Sequence, residues 1–141
     1  MSATLFAGFA RTTVPQTALR RFLALDAVVT TGNGLAYALF GAPLGRLLGV
    51  PGPTLLGLGL FLTAYGAGVA WLASRRRPPA LPVKFVIEAN YAWAALSLLS
   101  LVLWFSPTTA GVVWIPAQAL TVACFALLQQ LALRATGSGT Q

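Results

Sequence analysis

The amino-acid sequence predicts an all-α protein, a four-helix transmembrane bundle. Of its 141 residues, 57% are hydrophobic and only 8% are charged, whereas a soluble domain typically has about 25% charged residues. A chain of this composition has too little polar surface to cover a globule in water, so lipid must solvate much of it. Four apolar stretches approach the roughly 20 residues that a helix needs to cross a bilayer, and segments rich in proline or glycine separate them.

The four predicted spans cover residues 22–40, 54–74, 85–105 and 111–133, within a transmembrane domain over 19–134. Backbone polar groups in hydrocarbon must bond one another, so each stretch is expected to be helical. Residues 1–18 are predicted to form a cytoplasmic N-terminal segment, and residues 135–141 a disordered tail. Residues 43–48 are expected to lie at the interface, with Arg46 reaching the headgroups.

The distribution of cations predicts the orientation of the bundle. Eight cations lie before the first span, between the second and third, or after the fourth, whereas Arg46 alone lies on the other side. Cytoplasmic loops of membrane proteins carry an excess of lysine and arginine. The sequence therefore predicts a multi-pass protein of the cell membrane with both termini in the cytoplasm.

Several kinds of site are excluded by composition. The chain has one cysteine and no histidine, which excludes an intramolecular disulfide, a zinc site, histidine-held haem and a Ser-His-Asp triad. No metal and no cofactor are predicted. The net charge is +7, but the cations are scattered between apolar runs rather than gathered in a phosphate-binding stripe. Nucleic acid is therefore not an expected partner, and the lipid bilayer is.

The strongest candidate site consists of the two acidic residues of the chain, Asp26 and Glu88. Both lie inside predicted spans, where an ionisable side chain is costly and by default marks a functional site. Each comes about one turn into a span that runs in the same direction, which predicts that both carboxyls lie roughly 5–8 Å inside the same boundary. If the two helices face each other, these carboxyls line one chamber.

Polar and aromatic side chains are predicted to surround the two acids. Thr30, Asn33 and Tyr37 follow Asp26 at i+4, i+7 and i+11, which places them on one helix face. Tyr91 shares the face of Glu88, and Asn90 and Trp93 begin a second stripe on roughly the opposite face. Trp71 and Gln129 should return to the depth of the acids. The predicted substrate-binding residues are Thr30, Asn33, Tyr37, Tyr65, Trp71, Asn90, Tyr91, Trp93 and Gln129, with Asp26 and Glu88 predicted as catalytic.

Two buried carboxyls allow general acid chemistry. Desolvation disfavours the charged form of a carboxyl, and a second carboxyl nearby strengthens this effect. A neutral acid beside aromatic rings suits protonation of an alkene or epoxide, because the rings attract the resulting carbocation. The second carboxylate or a tyrosine would then accept a proton. The two acids lie on separate helices, so they cannot form the aspartate cluster that holds Mg²⁺ when a prenyl diphosphate is ionised.

Structural roles for the same residues remain open. Polar side chains often hydrogen-bond between transmembrane helices, and Trp104 and Trp114 lie where aromatic residues anchor helices at the interface. Asp26 has Arg20 and Arg21 nearby as alternative ion-pair partners. Glu88 follows Lys84 by four residues and can pair with it along the helix.

Three segments resemble small actinobacterial four-span integral membrane proteins. Their sequences are RFLALDAVVTTGNGLAY (21–37), EANYAW (88–93) and PTTAG (107–111). The resemblance extends from about residue 19 to 133, and some members resemble membrane-bound terpene cyclases that act on farnesylated indoles. It implies that a pair of membrane-embedded acids, here Asp26 and Glu88, is essential. The chain is shorter than the seven-span fungal cyclases, so no other site residue carries over.

The leading functional interpretation is therefore a membrane-embedded terpene cyclase that protonates an apolar isoprenoid chain entering from the bilayer. One alternative is a small proton-coupled multidrug exporter, because two acids at one depth also suit proton exchange. The known four-helix exporters carry their glutamate in the first helix, whereas Glu88 lies in the third predicted span. A second alternative is a non-catalytic accessory subunit. An oligomer is compatible with all three.

Overall fold

The computed structural model describes residues 14–103 and 107–139, which form five α-helices. Four are long, namely α1 (Val14–Leu39), α3 (Gly52–Ser74), α4 (Ala80–Leu103) and α5 (Thr109–Gly139), and a short helix α2 (Gly41–Leu48) follows α1. The four long helices are apolar enough to span a membrane. They pack as a bundle, which confirms the predicted fold class of a multi-pass membrane protein.

Two helices run beyond the predicted spans at the end of the bundle where the termini lie, which we call the terminal end. α1 is already helical at Val14, where the description starts, ahead of the predicted start near residue 22. α5 continues to Gly139, into the segment predicted to be a disordered tail. Hydropathy marks the hydrocarbon thickness, whereas a helix can continue into the headgroup region. The predicted end of the third span, 104–105, lies outside the described residues.

The long helices pack unequally around the bundle. α1 packs most extensively against α3, α4 packs against α5, and α1 also packs against α5. By contrast, α3 and α4 hardly touch along their length, and the backbones of α1 and α4 do not pack together. The first and third spans are therefore diagonal to each other. The side of the bundle between α3 and α4 is open.

Glycines permit the close packing of α1 and α3. A Cβ atom added to Gly59 would lie 2.5 Å from the backbone nitrogen of Ala38, and one added to Gly34 would lie 2.6 Å from that of Thr63. Both neighbours are backbone atoms that cannot rotate away. Small residues allow transmembrane helices to approach closely and gain dispersion contacts, so these glycines hold two walls of the bundle together.

The short helix α2 closes the bundle at the end opposite the termini. It ends at Leu48 and is capped by Gly49, whose φ of 76° lies in the left-handed region that glycine adopts without strain. The chain then turns back, and the backbone nitrogen of Thr108 donates to the carbonyl of Leu48 at 3.2 Å. Arg46 is exposed on this helix, as expected for a residue that reaches the headgroups.

The buried apolar residues form two clusters along the bundle axis. The cluster at the terminal end includes Leu19, Leu23 and Val83, and the one beside α2 includes Leu48 and Ile115. Outside these clusters many large apolar side chains are exposed on the helices. This exposed apolar surface fits contact with lipid rather than with water.

Candidate functional site

All four long helices contribute to a buried hydrogen-bond network around Asp26. The Asp26 carboxyl is 0% exposed and accepts hydrogen bonds from Thr30 Oγ1 at 2.9 Å, Asn90 Nδ2 at 2.8 Å and Gln129 Nε2 at 2.8 Å. Tyr65 adds the fourth helix, because its hydroxyl donates to Asn90 Oδ1 at 3.3 Å. The expected depth of Gln129 beside Asp26 is therefore confirmed by direct contact.

The geometry of this network satisfies both oxygens of the Asp26 carboxyl. Thr30 donates to Oδ1, while the two side-chain amides donate to Oδ2. Asn90 also donates to Gln129 Oε1 at 3.2 Å, so the two amides bond each other as well as the acid. Buried polar groups are costly unless they are paired. The network thus compensates for burying a carboxyl at this depth.

Asp26 is not paired with a cation in the described part of the chain. Arg20 instead donates from Nε to the carbonyl oxygen of Ala73 at 3.2 Å, and Arg21 is exposed. The Arg20 bond joins the first half of α1 to the end of α3. The ion pair considered for Asp26 from sequence is therefore replaced by hydrogen bonds to neutral side chains.

Glu88 does not join Asp26 in one chamber. It is exposed on the outer face of α4, roughly opposite to the face that carries Asn90, because a separation of two residues corresponds to about 200° of helix rotation. The expectation of a shared chamber for the two carboxyls is corrected on this ground, whereas a catalytic role for either carboxyl remains a prediction.

Two predicted aromatic residues also lie away from Asp26. The Tyr91 hydroxyl donates to Gln130 Oε1 at 3.1 Å on the exposed surface between α4 and α5. Trp71 is 55% exposed, and the guanidinium carbon of Arg75 lies 5.0 Å from the centre of its ring. In the described part of the chain, neither residue hydrogen-bonds to the buried network.

Three adjoining cavities follow the open side of the bundle between α3 and α4. The central cavity, of about 220 Å³, includes Thr30, Asn33, Tyr65 and Asn90 in its lining. The Leu48 cavity, of about 390 Å³, lies towards α2 and shares Tyr37, Trp93, Leu96 and Gln118 with the central cavity. The Trp71 cavity, also of about 390 Å³, lies towards the terminal end and shares Tyr65 with the central cavity. We call the three together the cleft.

The cleft opens sideways towards the surface that fits lipid. Both α3 and α4 supply residues to each of its three cavities. Phe61 in the central cavity is 56% exposed, and Phe85 in the Trp71 cavity is 69% exposed. Phe61 of α3 stacks on Trp93 of α4 with ring centres 6.4 Å apart and an interplanar angle of 15°. This aromatic pair bridges the two helices across the opening.

Polar contacts hold the aromatic walls of the cleft in place. Trp93 Nε1 donates to Gln118 Oε1 at 2.9 Å, and Trp114 Nε1 donates to the Tyr37 hydroxyl at 2.7 Å. Buried indole and phenol groups need such partners, and once paired they present their ring faces to an apolar occupant. These two bonds pair the polar atoms of Trp93 and Trp114, whose rings line the cavities.

Asp26 lies behind the wall of the central cavity rather than in it. Thr30 and Asn90 both line this cavity, and both bond the Asp26 carboxyl. Thr30 therefore places one hydroxyl group, which can both donate and accept hydrogen bonds, between the carboxyl and the cavity. The described residues bring no three His, Cys, Asp or Glu side chains together as metal ligands.

The site predicted from the sequence does not include Gln118, Trp114 or Phe61, three of the lining residues that carry polar or aromatic groups. Trp114 was interpreted as an interfacial anchor, whereas it lines the Leu48 cavity. Phe61 lies four residues before Tyr65, with which it stacks at 6.0 Å, and this spacing could have revealed it. Trp104 lies outside the described residues.

Comparison with known proteins assigns the chain to no family. No protein-family model, no curated protein and no solved structure matches it. The geometry of the cleft and of the Asp26 network is therefore the basis on which a function is proposed.

Proposed function

We propose that the chain is a membrane-embedded terpene cyclase that binds an isoprenoid chain in the cleft and protonates it from Asp26. The observation that carries the proposal is the position of Thr30, which bonds the buried carboxyl and lines the central cavity. An apolar cavity with a few convergent polar groups is the usual form of a small-molecule site. Here the convergent groups are a single acid and its partners.

The shape of the cleft supports an apolar, lipid-soluble substrate. Its lining is almost wholly apolar, and its side opening lies between two helices that hardly touch. A molecule that already partitions into the bilayer reaches such an opening without crossing water. An isoprenoid chain, alone or attached to an indole or another acceptor, fits this route.

The reaction balances without a cofactor. In the protonated state of Asp26, the carboxyl O–H would donate to Thr30 Oγ1, the reverse of the bond seen between the same two atoms, and the Thr30 hydroxyl would turn its own hydrogen towards the cavity. Thr30 then gives that hydrogen to one carbon of a terminal alkene, whose π electrons form the new C–H bond, while the Asp26 proton moves to the Thr30 oxygen and replaces it. The neighbouring carbon becomes a cation, and a second alkene of the same chain attacks it to form a C–C bond. Loss of a proton from the cyclised cation creates a new alkene, and the same relay returns that proton to Asp26. The net change is an isomerisation.

The aromatic walls would stabilise the intermediate cations. Tyr37, Phe61, Tyr65, Trp93 and Trp114 line the central and Leu48 cavities. A cation near the face of an aromatic ring gains about 0.5–2 kcal/mol, and the gain is largest when it is desolvated. Because most of the lining is apolar, it would also exclude water that could quench the cation early.

The direct test is turnover by membranes that contain the protein. Membranes with the wild-type chain are incubated with a farnesylated indole and with free farnesyl compounds, and cyclised isomers are sought by mass spectrometry. Asp26→Asn should abolish the product, while the matched amide change on the outer face, Glu88→Gln, should retain it. If wild-type membranes turn over none of these compounds, or Asp26→Asn remains active, the proposal fails.

A proton-coupled exporter is the second candidate, and one observation favours it. The single buried carboxyl bonds side chains from α4 and α5 as well as from its own helix, so a change in its protonation would alter contacts between helices. Proteoliposomes with an imposed pH gradient test this reading. Gradient-driven uptake of a lipophilic cation that is lost in Asp26→Asn would favour export over cyclisation.

The proposed orientation has both termini in the cytoplasm, in the cell membrane. It is supported by Arg75, Arg76 and Arg77, which lie with the termini at one end of the bundle, and by the excess of cations on cytoplasmic loops. A reporter active only in the cytoplasm, fused after residue 141, should be active. If that fusion is inactive while a reporter inserted near Arg46 is active, the orientation is the opposite of the one proposed.

A further inference from the structure

We infer that the isoprenoid carries an anionic phosphate ester, bound at the terminal mouth of the cleft by Arg75, Arg76 and Arg77. The inference rests on the proposed use of the cleft for an isoprenoid chain and adds the chemical class of its head group. These arginines form the connection between α3 and α4, the two helices that border the cleft. The cations therefore stand directly where the cleft ends.

Arg75 is fixed at this mouth by its contact with Trp71. The guanidinium carbon lies 5.0 Å from the centre of the Trp71 ring, and Trp71 also lines the Trp71 cavity together with Pro82 and Phe85. Stacking on an aromatic face leaves the N–H groups at the edge of the guanidinium free to bond oxygen. One tryptophan thus contacts both the apolar lining and the cation beside it.

No carboxylate of the described residues neutralises the three arginines. Asp26 is enclosed in its own network, and Glu88 lies on the outer face of α4. All three arginines are exposed at the mouth. Arginine binds phosphate oxygens in a planar, often bidentate geometry, so a phosphate ester is the anion that this cluster suits.

The distance between the arginines and the buried acid fits an isoprenoid rather than a short ligand. Tyr65 lies nine residues before Ser74 on α3, which is about 14 Å along the axis. Tyr65 lines both the Trp71 cavity and the central cavity. A chain of farnesyl length with its phosphate at the arginines would place its far alkene beside Thr30. Protonation there leaves the phosphate ester intact, so no Mg²⁺ cluster is required.

Binding to the full chain in nanodiscs tests the inference. The discs are made of phosphatidylcholine, which has no net charge. Both faces of a nanodisc are open to the solution, so the probe reaches the site whichever way the chain is oriented. Energy transfer from the tryptophans to dansyl-tagged farnesyl diphosphate is compared with transfer to the matched dansyl-tagged alcohol, with unlabelled competitor and empty discs as controls. Wild type should bind the diphosphate on the order of tenfold more tightly than the alcohol, since cations at a membrane surface each contribute modestly.

Variants locate the head group. The triple variant Arg75→Gln, Arg76→Gln, Arg77→Gln should reduce the preference for the diphosphate to about onefold, whereas Arg46→Gln, at the other end of the bundle, should retain it. If the triple variant fails to fold, Trp71→Leu, which removes the stacking partner of Arg75, should reduce the preference in part. If the triple variant keeps the full preference for the diphosphate over the alcohol, the inference is overturned. Where Trp71→Leu is used because the triple variant does not fold, full preference in Trp71→Leu overturns it equally.

The remaining outcomes separate this inference from the proposed function. Equal binding of the diphosphate and the alcohol by wild type overturns the phosphate inference while leaving the cleft as an isoprenoid site. Absence of binding by both probes overturns the inference and the proposed function together. If phosphatidylglycerol added to the discs displaces the diphosphate at equal mole fraction, the site binds bulk phospholipid, and the inference is again overturned.

Discussion

Asn90 on α4 donates a hydrogen bond from Nδ2 to Oδ2 of Asp26 on α1 across the diagonal of the bundle, at 2.8 Å. This bond connects two helices whose backbones do not pack together. Asn90 also receives a bond from Tyr65 and donates to Gln129. A single side chain thus joins the buried acid to two other helices, and it lines the cavity in front of that acid.

Removal of the Asn90 amide should destabilise the bundle. Asn90→Leu leaves Asp26, Tyr65 and Gln129 each without one partner, and interhelical hydrogen bonds in membranes contribute about 0.6 kcal/mol each on average, up to about 1.7 kcal/mol. We expect a loss of about 1–3 kcal/mol in the free energy of unfolding, measured by denaturant titration in mixed micelles. Asn33→Leu is the matched control, because Asn33 lines the same cavity outside the network. An equally large loss in Asn33→Leu would contradict a stabilising role for the hydrogen bonds of Asn90.

Close packing of α1 on α3 predicts opposite results for two neighbouring glycines. A Cβ at Gly59 would lie 2.5 Å from a backbone nitrogen, whereas one at Gly57 meets nothing within 4 Å. Gly59→Ala should therefore cost about 1–3 kcal/mol through overpacking. Gly57→Ala should be neutral or slightly stabilising, because alanine is the better helix former. Thermal unfolding of both variants in one detergent gives the comparison, and equal midpoints would refute the packing geometry.

The position of Glu88 on the outer face predicts a small effect of its neutralisation. Glu88→Gln should change the free energy of unfolding by no more than about 0.5 kcal/mol, as is usual for exposed positions, and should leave the affinity of a farnesyl probe unchanged. Asp26→Asn, by contrast, replaces one acceptor oxygen of the buried network with an amide NH2 group. If Glu88→Gln abolishes turnover as completely as Asp26→Asn does, the paired-acid mechanism predicted from the sequence would regain support.

The stacked pair of Phe61 and Trp93 predicts control over ligand exchange through the side opening. Such pairs contribute about 0.5–1.5 kcal/mol beyond the area they bury, so Phe61→Ala should accelerate release of a bound farnesyl probe by about two- to tenfold. Leu60→Ala is the control, since Leu60 is 60% exposed and lines none of the cavities described here. Stopped-flow displacement measures both rates. Equal acceleration by the two variants would exclude Phe61 as a bridge.

The sequence alone predicted the four helices and part of the site. Apolar length and proline-containing breaks define each span, and the count of residues along α5 placed Gln129 at the depth of Asp26, where it is found. Helix periodicity also separated the faces of Asn90 and Glu88 correctly. It could not show which face points inwards, because the rotation of α4 about its axis depends on packing with α5 and not on its own sequence.

The cleft could not be predicted from the sequence for a similar reason. Its volume arises because α3 and α4 stand apart while α1 draws α3 towards itself through Gly34 and Gly59. Hydropathy treats Phe61 and Trp114 as ordinary apolar or interfacial residues, since both are compatible with lipid. Only the arrangement of the helices makes them walls of a shared cavity.

The most direct test of the central claim is to map where an isoprenoid chain binds. A farnesol analogue with a diazirine at its far end is photolysed with the full chain in phosphatidylcholine nanodiscs, and the labelled residues are identified by mass spectrometry. We predict labels on residues that line the cleft, namely Thr30, Phe61, Trp93 or Gln118. Unlabelled farnesol should compete with this labelling, and a larger side chain at Ala89 of the central cavity should reduce it. Labels confined to outer residues such as Val28 and Leu99, with no competition, would contradict a binding site in the cleft.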